Sequence, residues 1–260
     1  MLKKITDKKR QIVEVLKKER PLASFLKDIT PGNFAFSKAL QQSEWTLIAE
    51  CKLASPAKGQ LCTDYSVPEL AKIFTVNGAT ALSVHTDMHF CGRLEDISAV
   101  RTVSQLPILR KDFIIDEYQI YETRAAGADA VLLIANLLAD DQLKEYLAVA
   151  HELGMDALVE VHTLQEIERV QQTTARFVGI NNRNLETFRT DIQNTFDLLP
   201  YCDKRRLVIS ESGVSTGAEA DILKQAGVRG ILVGEGLVKA AEIGGKTREL
   251  ALLNRKDGGR

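Results

Sequence analysis

A short apolar run that ends in a charged, amide or glycine residue recurs along this chain, and that recurrence restricts the possible fold more than any other feature. LIAECKLASPAKG, from Leu47 to Gly59, sets the pattern: apolar residues, then Glu50, Lys52 and Ser55, with Pro56 and Gly59 behind. It returns at PILRKDF, ALVEVH, FVGINNRNL, LVISESG and ILVGEG. A strand buried on both faces reads as such a run, and strands that all finish in polar residues place their chemistry at one rim. With ALSVHT and AVLLIA added, the strand signals number eight.

Helical stretches or long connections separate successive strands. Val67 to Asn77 has Pro68 in its first turn and Gly78 just beyond, and a further helix begins near Leu94. Asp116 is placed to cap the helix of DEYQIYETRAAGA, Asp140 to Leu153 ends at Gly154, and Thr163 with Glu166 forms a capping box before LQEIERV. Eight strands alternating with helices predict an α/β fold, a closed (β/α)8 TIM barrel. An open doubly wound sheet would carry its glycine cluster after the first strand. Here that loop reads SPAKG and the glycines come late, at SESG and VGEG, as in barrels that bind phosphate after strands seven and eight.

Residues 1–45 stand outside the repeat as an N-terminal helical extension, so 1–260 is expected to be one barrel domain with that addition. Ile5 to Lys18 predicts a basic amphipathic helix stopped by Pro21, and LASFLKDI and FAFSKALQQ predict shorter ones covering the side or mouth of the barrel. The 260 residues carry 34 basic and 35 acidic groups for a formal charge of -1, which argues against a nucleic-acid partner and makes any phosphate recognition local. Cys51, Cys62, Cys91 and Cys202 lack CxxC spacing and are expected to be free thiols. Neither a signal core nor a membrane-length apolar run is present, so a cytoplasmic protein without a membrane partner is expected.

The segment from Leu47 to Val238 resembles indole-3-glycerol phosphate synthase through AECKLASPAKG, LSVHTD, LRKDFI, ALVEVH, GINNRNL and ISESGV in order. The resemblance implies ring closure, decarboxylation and dehydration of 1-(o-carboxyphenylamino)-1-deoxyribulose 5-phosphate by a monomer that uses no cofactor or metal. It implies Lys111 as general acid, Glu160 as general base and Lys52 as a second essential lysine, with Glu50, Asn181, Arg183, Glu211 and Ser212 around the substrate. Departures from the family pattern are a DMHFCGR loop one residue shorter, Ala57 in place of a second Ser, and Gly236 in place of Ser or Ala. Another phosphate-binding barrel enzyme, or a noncatalytic sugar-phosphate binder, is the alternative reading.

The residues support the same roles chemically. An ammonium at a ketone oxygen, here Lys111 beside apolar Phe113, stabilises developing negative charge and protonates it. Lys52 could hold the carboxylate before it leaves or pass protons during dehydration. Glu160 lies between Val159 and Val161, a costly place for a carboxylate unless it faces a polar cavity. Glu50 and Glu211 would keep the lysines charged, leaving three carboxylates against two lysines and Arg183. Asn181 and Arg183 share one side of an extended chain, while Asn182 and Asn184 read as turn formers. For phosphate, backbone donors at Gly213, Gly234 and Glu235 are expected, joined by Ser212 and Ser55, with Lys52 and Lys58 the fallback. On that reading a Val at position 234 weakens binding of phosphorylated ligands alone. Cys51 and His162 are expected to pack behind the pocket, and His85, His89 and Cys91 to be unconnected with a metal.

Overall fold

The computed structural model of the chain describes residues 2–56, 58–184 and 189–253, so Ala57 and Leu185, which fall in two of the motifs, lie outside the described residues. The barrel strands are β1 (Thr46–Cys51), β2 (Ala81–His85), β3 (Ile108–Lys111), β4 (Ala130–Ile134), β5 (Asp156–Val161), β6 (Phe177–Asn181), β7 (Leu207–Glu211) and β8 (Gly230–Val233). Each pairs in parallel with its neighbours, and β8 pairs with β1 to close the ring.

Strand periodicity decides what the ring encloses. Ile48, Ala81, Leu109, Leu132, Leu158, Phe177, Ile209 and Leu232 form one interior cluster. Two residues further along each strand, on the same face, come Glu50, Ser83, Lys111, Ile134, Glu160, Gly179, Glu211 and Gly234. An apolar layer thus supports a polar one. The opposite faces, such as Cys51, Val84, Val159, Val161 and Ile180, pack outward against the helices.

The helices around the ring are α3 (Val67–Val76), α4 (Glu95–Arg101), α5 (Tyr118–Ala125), α6 (Asp140–Glu152), α7 (Leu164–Gln171), α8 (Gln193–Leu198), α9 (Gly217–Gln225), α10 (Glu235–Val238) and α11 (Ile243–Leu250). Asp116 Oδ1 accepts from the Tyr118 amide at the start of α5, as its spacing predicts. At α7, Thr163 accepts from the Glu166 amide, but the Glu166 carboxylate reaches past Thr163 to the His162 amide at 2.7 Å.

The extension engages both ends of the barrel. α2 (Ala35–Gln42) inserts Phe36 and Leu40 into the interior cluster from the side of the strand starts, with Phe36 edge-on to Phe177 at 5.5 Å. The Ser37 amide fixes it by donating to Asp156 Oδ2 at 2.8 Å. At the strand ends, α1 (Leu2–Glu19) brings buried Lys9 to 2.7 Å from Asp87 and 2.6 Å from Asp112. Asp112 is also held by Arg110 and Thr86.

Candidate active site

The strand ends surround a cavity of about 440 Å³, a size suited to a small organic ligand. Closure of the ring sets β3 and β4 across from β7 and β8, so the two sides differ in character. Phe113, Leu132 and Ile134, with Phe90, Pro56 and Ile5 of α1, give one side an apolar wall. On the other, Ser212, Gly213, Gly234 and Glu235 meet Lys58, Arg183 and Lys239.

Lys111 lies between two acids, its Nζ 2.9 Å from Glu160 and 3.4 Å from Glu211. Burial alone would lower its pKa, but Glu160, Glu211 and Glu50 together raise it, so Lys111 stays a cation. Burial pushes the Glu160 carboxyl up, and Lys111 and His162 outweigh it to leave an anion. Glu211 differs: burial and the neighbouring Glu160 raise its pKa above the ordinary carboxyl value despite Lys111. It is the neutral acid of the pair. Neither Glu211 oxygen has a hydrogen-bond partner among the described residues, and the absence of a Cβ at Gly179 leaves room for its carboxyl. The expected three carboxylates therefore reduce to two charged ones, Glu50 and Glu160.

Glu50 is held by His85 Nε2 at 2.8 Å and by Lys52 Nζ at 3.4 Å. Burial would raise its pKa, yet Lys52 and His85 keep it well below the usual carboxylate range. Lys52 is itself 5.3 Å from the Phe90 ring centre. Asn181 Oδ1 accepts from the Arg183 amide, and both residues line the cavity as their spacing predicts.

Several expectations change. Ser55 does not line the cavity; its buried hydroxyl accepts from the Lys58 amide and braces the loop. Asn182 is no turn former but a buried junction, donating to Ser210 Oγ and the Ser212 carbonyl and accepting from Thr195. His162 does not turn wholly away, since Nε2 is 3.4 Å from Glu160 Oε1 and Nδ1 is 3.5 Å from Glu166. A Cβ added at Gly234 would collide with the Glu50 carboxylate, so substitution there disturbs more than an anion site. Ser212 and Gly213 both have left-handed backbones, φ 64° and 88°. The Glu235 carboxylate lies on the cationic side of the cavity, where it pairs with Lys58 at 2.7 Å, Lys239 at 3.1 Å and Arg183 at 3.9 Å.

The residues of the H-x3-H-x-C run go separate ways, His85 to Glu50, His89 to Asp87, and Cys91 to the surface. His85 is not among the expected site residues, yet strand parity carries its signal: it lies two residues beyond inward Ser83 and opposite Lys111 in the register. Lys9 and Asp112 gave no comparable signal, because only tertiary contact joins them.

Barrels of several kinds share this frame. The 3-hexulose-6-phosphate synthase of Salmonella typhimurium overlays with a TM-score of 0.66 at 14% identity, covering 80% of this chain and 97% of that one. The N-acetylmannosamine-6-phosphate 2-epimerase of Clostridium perfringens gives 0.60 at 17% identity, covering 75% and 88%. Such distances speak to fold alone. Sequence relatives are closer: an indole-3-glycerol phosphate synthase of Desulforamulus reducens is 45% identical over 97% of both chains. One of Legionella pneumophila (strain Paris) is 42% identical over 96% of this chain and 98% of its own. The family model described as indole-3-glycerol phosphate synthase matches residues 2–250. With a match of that extent on a barrel whose rim carries these carboxyl groups and cations, the chain belongs to the indole-3-glycerol phosphate synthase family and converts 1-(o-carboxyphenylamino)-1-deoxyribulose 5-phosphate to indole-3-glycerol phosphate, carbon dioxide and water.

Proposed function

We propose that in this reaction Lys111 is the general acid and Glu160 the general base, with the aromatic ring of the substrate against Phe113 and Phe90 and its phosphate near Gly213, Gly234 and Glu235. The observation that carries this reading is Lys111, kept cationic between two carboxyl groups in the middle of a cavity that is apolar on one side and cationic on the other. As the ring carbon attacks the ketone, charge grows on oxygen and Lys111 transfers a proton to it. An alkoxide is far more basic than an amine, so the raised pKa does not prevent the transfer. Loss of carbon dioxide returns its bonding pair to the ring. The hydroxyl then leaves as water with a second proton, and Glu160 takes one from the carbon beside nitrogen. Two protons given and one taken match the net uptake of one per turnover.

Lys52, next to Glu50 and over Phe90, is placed either to hold the leaving carboxylate or to supply the second proton. Glu50, Asn181 and Glu211 position the two lysines and the base, and Arg183 joins the phosphate side with Ser212. Glu235 holds Lys58, Lys239 and Arg183 until the substrate phosphate takes over part of that pairing. We take the working form to be a cytoplasmic monomer. The four cysteines are free, and no helix among the described residues is long and apolar enough to cross a membrane. Gel filtration of the active protein tests the monomer.

The test of the acid is Lys111→Met assayed with authentic substrate. It should fold and bind, with turnover reduced at least about 100-fold, the lower range for a positioned acid. A folded variant of undiminished turnover removes the assignment.

A further inference from the structure

The interior of the rim contains a histidine to which the reaction scheme gives no work. His85 ends β2, is 5% exposed, and stacks on Phe90 with ring centres 4.2 Å apart and planes within 8°. Its Nε2 is 2.8 Å from Glu50 Oε1, while its Nδ1 is buried without a partner among the described residues. Those facts fix the tautomer. Burial lowers the imidazole pKa against the pull of Glu50, so the ring is neutral and has one hydrogen to give. A carboxylate only accepts, which places that hydrogen on Nε2 and leaves Nδ1 a bare acceptor.

Glu50 is therefore gripped from two sides, by His85 on one oxygen and by Lys52 on the other, in space left by the absent side chain of Gly234. We propose that His85 is a positioning residue for the reaction: its Nε2–H anchors one Glu50 oxygen, and Phe90 clamps the ring plane, so that the second oxygen stays aimed at Lys52. The inference rests on the proposed use of Lys52 and Glu50. The charged groups that face His85 are Glu50 and Lys52 from the end of β1 and Lys111 from β3. Removal of the donor leaves Glu50 with Lys52 and the field of Lys111, so its carboxyl should protonate at a higher pH and release Lys52 there.

The test compares three variants by the pH dependence of kcat. His85→Leu removes the donor and the stack, His85→Phe keeps an aromatic ring without the donor, and His85→Gln keeps a donor that does not titrate. Leu and Phe should lower kcat about tenfold or more, the size of one charge-assisted hydrogen bond, with KM little changed. Their acid limb should move to higher pH. Gln should restore both kcat and the limb. Should the Leu variant fail to fold, Phe against Gln decides alone: identical profiles overturn the proposal, because packing without the donor would then suffice. Wild-type-like kcat and profile in folded Leu and Phe variants overturn it as well. Absence of indole-3-glycerol phosphate formation by the unmodified protein would instead count against the reaction scheme, a separate outcome.

Discussion

Glu160 and Glu211 flank the same ammonium yet carry different charge, and the difference governs how each responds to substitution. Glu160→Gln keeps the shape and one acceptor while removing basicity, so turnover at saturating substrate should fall at least about 100-fold with substrate binding largely spared. Equal turnover would take Glu160 off the catalytic path. Glu211 is already uncharged near neutrality, so Glu211→Gln should cost much less at pH 7. Its effect on stability has a definite sign. The folded pKa of Glu211 lies above the ordinary value of 4.5, so between the two the unfolded chain ionises while the native one keeps its proton. That contribution is intact below pH 4.5 and is lost as pH rises through the raised value. The melting temperature of the wild type should therefore decline relative to Glu211→Gln from pH 5 to pH 8, and parallel curves would show that Glu211 ionises normally.

At the level of elements, α1 is tied to the strand ends through Lys9, the buried cation between Asp87 and Asp112. Lys9→Met leaves two buried acids without their shared cation, Asp112 with Arg110 and Thr86 and Asp87 with His89 alone, and should cost about 3–5 kcal/mol. Denaturant titration of the variant measures this, and a loss below about 1 kcal/mol would mean that water replaces the lysine without difficulty. Gly234→Ala at the β8–α10 junction should displace Glu50, so kcat should fall together with affinity for inorganic phosphate. A loss confined to phosphate binding would restore the simpler view of that glycine. These two cases show where sequence was legible. Strand signals, helix stops and the inward places of Lys111, Glu160 and Glu211 follow from periodicity, which a sequence displays directly. Parity along β2 likewise turns His85 inward. Lys9 with Asp112, the bracing hydroxyl of Ser55 and the junction at Asn182 depend on which distant segments meet, and local pattern has no access to that.

For the molecule as a whole, the two ends of the barrel are treated differently. Phe36 and Leu40 of α2 fill one end, where Phe36→Ala should leave a cavity and cost about 3–5 kcal/mol without altering kcat of the folded protein. A matching loss of kcat, with the fold intact by thermal melt, would mean that the two ends are coupled. The filled end also decides traffic. Among the described residues, the cavity is lined at the strand ends by Ile5 and the loops there, so substrate and product use the same mouth. A product molecule that lingers is then in the path of the next arrival, so the enzyme works in single file and its product should inhibit competitively.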